Sequence, residues 1–425
     1  MSLKINGQRL RSHLECLAKI GYREGAGITR LAYSREDVQA HEYVAVLMRE
    51  AGLQVSYDPA WNLIGRWEPT LAQEDRHAWA ASSGESVWPK KTSRPAIVMG
   101  SHLDTVPQGG PFDGALGVLG AVEVAQTIIE NGWSLKRPLE VIAFANEEGS
   151  LAGGTFGSQA MAGSLAEEEM TLLQDEKSAL ARAYLNLGLD PKLVPSAKRD
   201  REFAAAYLEL HIEQGDVLEG LGIPIGIVQG IVGIRRYEIT VHGRAGHAGA
   251  TPMAGRKDAL VRAAQLVLDI NEKARSFGPG TVATVGRIQA SPGAFNVIPG
   301  LVNLYAEVRS LDLKTLEDFE AHLYRRVEGL GALAVVLRKD PVAMDRAVMG
   351  HVEAACEALR VRHQLIPSGA GHDAMNMAAV APAGMIFVPS RAGLSHVPEE
   401  WTDWEHVTLG TQVLLESCLA VASHE

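Results

Sequence analysis

Cysteine is scarce in this chain. Cys16, Cys356 and Cys418 are an odd, widely separated set in 425 residues, with no CxxC pair among them. That excludes a disulfide-built scaffold and suits a reducing compartment. Long apolar runs are also missing. None reaches the roughly 20 residues a membrane-spanning helix needs, so no membrane partner is expected. The first ten residues, MSLKINGQRL, lack the apolar core of a secretory signal, and a cytoplasmic location is expected. Positive charge is in deficit, with Lys+Arg at 40 against Asp+Glu at 51 and a net charge of −11. No basic cluster carries interleaved aromatics. Nucleic acid and anionic membranes are therefore poor partners, and none is expected.

What is present is ordinary for a globular protein: 46% hydrophobic and 21% charged residues. The length exceeds what one core usually supports, so two domains are expected. Leu10, Leu14, Leu17 and Ile20 fall on a helical period. Ser34, followed by Glu36 and Asp37, reads as a helix start. Two strand-like pieces follow near Val55 and Leu63. Residues 69–95 are polar and aperiodic, and read as a surface excursion with two tryptophans.

An apolar strand at 96–99, a Gly/Pro-rich loop, a helix from Gly114 to about Glu130 and a second buried strand at 139–144 follow. This is the parallel α/β pattern, which places chemistry outside the carboxyl ends of strands. Helices are expected across 164–190, and AAAYLELHIEQG is a third strand ending in polar residues. Beyond Gly220 the texture changes. Strands at 225–231, 236–242, 281–290 and 301–310, with helices near 257–274 and 313–329, suggest a small antiparallel sheet with helices on one face. From about Val335 helix and strand alternate again. The expectation is a catalytic domain formed by 1–217 and 334–425 with an inserted domain at 218–333.

Five segments place ionisable groups at strand ends or in small-residue loops: HLDT (His102, Asp104), PFDG (Asp113), NEEG (Glu147, Glu148), HIEQG (His211, Glu213) and SHVPEE (His396, Glu399, Glu400). Each has a plain alternative. An isolated acidic pair is usually a solvated turn, a histidine ending a strand can be a satisfied core residue, and a loop histidine is normally exposed. Yet Glu147 and Glu148 follow LEVIAFAN, a run that should be buried, where adjacent carboxylates repel and resist desolvation. Taken together the segments suit two divalent metals sharing a carboxylate. Asp113 can bridge, His102 and His396 can each ligate one metal, and Glu148 and His211 can complete the shells. Such donors suit Zn and also Mn, Co or Ni, and residue type alone does not choose among them, though Zn is the metal expected. Asp104 is spaced to orient His102. Glu147, left over, could take a proton from water and pass it to a leaving nitrogen.

HLDTVPQGGPFDGALGV, ANEEG, LELHIEQG, GHAGATPM and GLSHVPEEW, in this order, resemble the metal-dependent amidohydrolases of the hydantoinase/carbamoylase group, relatives of co-catalytic zinc aminopeptidases and deacylases. The likeness runs from NGQRL and GITRLAYS to SHVPEEW. It implies an α/β, mixed-sheet catalytic domain of the co-catalytic zinc-peptidase type with an inserted α+β lid that also forms a homodimer. It implies His102, Asp113, Glu148, His211 and His396 as metal ligands and Glu147 as general base. In GRAGHAGATPM an exposed His247 can reach a substrate oxyanion, and Arg309 is a natural partner for a carboxylate. Each could equally be an ordinary loop or surface residue. In similar enzymes the matching His, Asn296 and Arg309 bind substrate, the histidine coming from the partner subunit. Gln214 and the GAGHDA loop (Gly369, His372) resemble a substrate-facing wall. Some relatives follow NEEG with Arg-Phe where this chain has Ser150-Leu151. The reaction implied is cleavage of a linear C–N amide bond in an N-carbamoyl-L-amino acid or similar ureido acid. Allantoate hydrolysis, and dipeptide or N-acyl amino acid hydrolysis, are the alternatives.

Overall fold

The structure is a computed structural model, and it describes residues 3–69 and 94–423. Most of the 69–95 excursion, with both its tryptophans, lies outside the described residues. The chain divides into two compact units. The larger comprises Met1–Gln229, Met344–Ile366 and Ala370–Glu425; the smaller comprises Gly230–Ala343 and Pro367–Gly369.

The larger unit is built on a mixed sheet. Seven of its nine described strands run in the order Gln54–Tyr57, Leu63–Trp67, Leu139–Phe144, Ala96–His102, Ala204–Ile212, Ala383–Val388 and Ile225–Ile231, and the last also pairs with Val342–Ala343 and His363–Ser368. The four central strands are parallel, while the outer pairings are antiparallel. Leu139–Phe144, Ala96–His102 and Ala383–Val388 are buried along their whole length. Their sequences are accordingly mostly apolar, broken by Glu140 and by Ser101 and His102 at a strand end, as expected where helices cover both faces of a parallel sheet.

Local chemistry fixes the helix starts. Ser34 caps Arg35–Glu50 by accepting the Asp37 N–H at 3.2 Å. The helix Ala115–Glu130 starts from Gly114 in the left-handed region, φ 63°. It buries nearly every residue of its length because it packs between the sheet, Gly7–Leu17 and the final helix Trp404–Ser423. The segment after His363–Ser368 forms only a single short helical turn, Ala374–Met377. Among the described residues no helix is long and apolar enough to cross a membrane.

The smaller unit is a four-stranded antiparallel sheet in the order Val282–Ser291, Leu301–Ser310, Gly233–His242, Gly331–Lys339. Leu301–Ser310 alternates strictly, presenting Val302, Leu304, Ala306 and Val308 inward. Ala259–Ser276 and Leu313–Val327 pack on that face through Leu266, Ile270, Phe319 and Leu323. The strand Gly331–Lys339 was not expected. It lies at a sheet edge and is exposed at most positions, so burial leaves little imprint on its sequence, and position 333 falls inside it.

Candidate active site

The parallel strands deliver the candidate residues. His102 is the last residue of its strand, and His211 is one residue from the end of the neighbouring one. Glu147 and Glu148 follow Leu139–Phe144 by a short turn. His396 arrives on the loop after Ala383–Val388. Asp113 sits just before the helix Ala115–Glu130.

Asp113 is the centre. Its Oδ1 lies 3.1 Å from His211 Nε2 and 3.7 Å from His102 Nε2, and its Oδ2 lies 3.0 Å from His396 Nε2. Glu148 Oε1 is 3.6 Å from His396 Nε2, and Glu147 Oε2 is 3.8 Å from His102 Nε2. The candidate donors His102, Asp113 and His211 fall within 4.8 Å of one another, as do Asp113, Glu148 and His396. The two oxygens of one carboxylate thus face two separate donor pairs.

Two imidazoles are fixed from behind. His102 Nδ1 donates to the main-chain carbonyl of Asp104 and His211 Nδ1 to that of Ile212, each at 2.9 Å. Both bonds hold a proton on Nδ1 and turn Nε2 toward Asp113, the orientation a metal-ligating imidazole needs. The Asp104 carboxylate was expected to orient His102. It lies 3.6 Å away, and the hydrogen bond is made by the carbonyl. The carboxylate instead accepts the N–H groups of Glu147 and Glu148, each at 3.1 Å. Asp104 therefore shapes the acidic turn as well as the His102 loop.

The electrostatics are lopsided. Asp104, Asp113, Glu209, Asp373 and Glu400 are all buried. Burial, reinforced by Asp373, Glu148, Asp104 and Asp113, pushes Glu147 well above the usual carboxylate range. Burial and then Asp113 push Glu148 to about 8. Burial also disfavours charge on Asp113, but His211 and His396 hold it well below its ordinary value. Asp113 in turn raises both histidines to about 9 against their own burial. Glu148 Oε1 is buried without a hydrogen-bond partner. Excess buried acid, an orphaned acceptor and imidazoles aimed by Nε2 fit a divalent cation, which would neutralise the cluster and supply the missing partner.

Other expected residues line this region of the larger unit. Gln214 Nε2 donates to Asp113 Oδ2 at 3.1 Å. His372 is buried edge-on against His211, with ring centroids 4.4 Å apart, and burial lowers it well below the usual imidazole range.

In the smaller unit, Gly246–His247 pairs with Val297–Ile298, and the Ala248 N–H donates to the Asn296 carbonyl at 2.9 Å. His247 and Asn296 are therefore neighbours, both exposed. His247 Nδ1 accepts the N–H groups of Gly249 and Ala250 at 3.1 Å, which leaves the proton on Nε2. Arg309 donates to Glu307 and to the Gly369 carbonyl, each at 2.6 Å.

Two site neighbours had no role read for them from sequence. Glu209 lies beneath His211 and accepts from Ser101, Tyr207 and the Ala374 N–H at 2.8–3.1 Å. A carboxylate inside the apolar strand YLELHI was its signal. Glu400 accepts the N–H groups of Phe112 and Asp113 at 2.9 and 3.1 Å. Sequence shows it only as one of two adjacent acids in a loop.

Comparison with known proteins agrees with this architecture. The pattern of the peptidase family M20/M25/M40 matches residues 98–420. N-carbamoyl-L-amino acid amidohydrolase of Geobacillus stearothermophilus is 40% identical over 429 residues, covering 99% of this chain and 100% of that protein. Allantoate amidohydrolase of Bacillus subtilis is 34% identical, covering 96% of each chain. The crystal structure of an amidase of the hydantoinase/carbamoylase family from Burkholderia multivorans superposes with a TM-score of 0.87 at 34% identity, covering all of both chains. The chain belongs to the peptidase family M20/M25/M40. Within that family it is an amidohydrolase of the hydantoinase/carbamoylase group.

Proposed function

We propose that this enzyme hydrolyses the linear C–N amide bond of an N-carbamoyl-L-amino acid, releasing the amino acid, CO2 and ammonia. The observation that carries the reading is the division of Asp113. Oδ1 faces His102 and His211, while Oδ2 faces His396, which has Glu148 beside it. These five residues would hold two divalent ions, Zn first with Mn, Co or Ni as alternatives. Bound there, the ions supply Lewis acidity toward the substrate carbonyl and toward water.

The remaining chemistry belongs to the chain. Glu147 takes the proton of the attacking water and delivers it to the departing nitrogen. Its burial among other carboxylates favours the protonated form that the second transfer requires. Asp104 holds Glu147 and Glu148 in place by accepting their main-chain N–H groups. His247, with its proton on Nε2, donates to the developing oxyanion. Arg309 and Asn296 bind the substrate's carboxylate or ureido end, and Gln214, Gly369 and His372 line its pocket. In this reading the small unit is a lid that also forms a homodimer, His247 serves the partner's site, and the enzyme is cytoplasmic.

The second reading is allantoate as substrate, favoured by the 34% identity to the Bacillus subtilis allantoate amidohydrolase. Ammonia release from N-carbamoyl-L-amino acids, N-carbamoyl-β-alanine and allantoate, with Zn, Mn, Co and Ni supplied in turn, tests both. Turnover confined to allantoate would replace the first reading with the second. A metal-loaded enzyme inert on the whole panel would overturn both.

A further inference from the structure

Among the five proposed metal ligands, His396 is held differently from the other histidines. His102 and His211 are buried, with Nδ1 fixed on main-chain carbonyls. The His396 side chain is 48% exposed, and its backbone adopts φ 60°, a left-handed conformation that costs a non-glycine residue energy. Its placement therefore depends on what anchors its loop.

Glu400 is that anchor. It is buried, and its Oε1 accepts the N–H groups of Phe112 and Asp113, 287 or more residues away in sequence. Its Oε2 accepts the Ser395 hydroxyl at 2.8 Å. Ser395 Oγ in turn lies 3.4 Å from Asp113 Oδ2, and Gln214 Nε2 donates to it at 3.3 Å. One carboxylate thus grips the backbone of the bridging aspartate and the residue preceding His396. Packing supports the same junction. Phe112 meets Trp401 and Trp404 edge-on at 5.4 and 5.3 Å. A Cβ on Gly110 would lie only 2.2 Å from the Glu400 Cβ, so glycine is what lets the two loops close together.

We infer that Glu400 is a positioning residue that sets His396 against Asp113 Oδ2, and so governs one half of the metal site. The inference rests on the proposed metal-binding reading. Truncation to alanine leaves two buried N–H groups unpaired and frees Ser395. Glutamine preserves the geometry. Its Oε1 still accepts both N–H groups, and its Nε2 can donate to Ser395, whose hydroxyl then turns toward Asp113. A metal ligand or proton carrier at this position would not tolerate glutamine, whereas an anchor does.

The test is Co2+ titration of metal-free protein, followed by visible absorption and competition with a chelator, with thermal melts of the metal-free variants alongside. Wild type should take up two equivalents. E400A should weaken one of them by about 10–100-fold with the other nearly unchanged, and E400Q should match wild type within a few-fold. H396A and the H396A/E400A double variant should bind alike, because both changes act on the same half. If E400A does not fold, S395A replaces it and should weaken the same equivalent. Unaltered Co2+ binding in E400A, or in S395A where that variant replaces it, would overturn the inference. So would loss in E400Q equal to that in E400A, or additive losses in the double variant. Failure of wild type to bind Co2+ would remove the metal reading itself, and this inference with it.

Discussion

Gly114 lies directly beneath the imidazole of His102. A Cβ built on Gly114 would fall 2.5 Å from both Cε1 and Nδ1 of that ring. The glycine is needed for a second reason, since its φ of 63° is unfavourable for any residue with a side chain. Gly114→Ala should therefore displace His102. Metal affinity should fall about 10–100-fold, with activity falling in parallel. Metal content after dialysis against a chelator, set beside the melting temperature, checks this. Full metal retention would show that the loop yields instead.

Glu147 stands beside the proposed ligands, and Asp104 fixes its main chain. Glu147→Gln should leave metal content unchanged and lower kcat about 10²–10⁴-fold, the usual contribution of a positioned acid–base group. Turnover near the wild-type value with metal bound would remove it as the proton carrier.

Arg309 keeps its guanidinium placed through Glu307 and the Gly369 carbonyl. Lysine retains the charge and loses the planar fork. For a substrate bearing a carboxylate, Arg309→Lys should raise KM about 10-fold or more with a smaller change in kcat, as expected when a charge-assisted pair is lost. An unchanged KM would place the substrate carboxylate elsewhere.

His41 gives the fold a pH-dependence separate from the active site. It is buried, stacks on Trp61 at 4.2 Å and lies 3.6 Å from Asp37. Burial, helped by the Arg30 charge, lowers it to about 3, and burial raises Asp37 well above its usual range. The folded state thus keeps His41 neutral, while the unfolded chain protonates it near 6.5. The stability this contributes is present above 6.5 and is lost as pH falls from there toward 3. Between pH 8 and 5 the loss should be about 2 kcal/mol. Asp37, raised by burial, contributes with the opposite sign over the same range, so the increment is read as a difference: urea unfolding at both pH values should show a change from pH 8 to 5 that is about 2 kcal/mol more destabilising in wild type than in His41→Gln.

The segments that carry the site were legible because each is local. A buried strand that breaks into HLD, NEEG or HIEQG shows where chemistry meets a strand end, without any knowledge of its neighbours. The strand Gly331–Lys339 was not legible, because an exposed edge strand leaves a weak burial pattern. Asp104 shows the same limit at the scale of atoms. Its spacing from His102 is visible in sequence, but whether carbonyl or carboxylate reaches the ring depends on how the loop turns toward Glu147 and Glu148.

The residue types themselves determine the chemistry available here: imidazoles and carboxylates in small-residue loops, arranged after apolar strands, in a chain with almost no cysteine. The order of parallel strands decides the rest. It brings His102, Asp113, His211 and His396, spread over nearly 300 residues, to one end of a sheet. Only there do the two oxygens of Asp113 acquire different partners, and only there does Glu400 find the N–H groups of a loop it never neighbours in sequence. Those relationships come from strand pairing and helix packing over long separations, which no local pattern encodes.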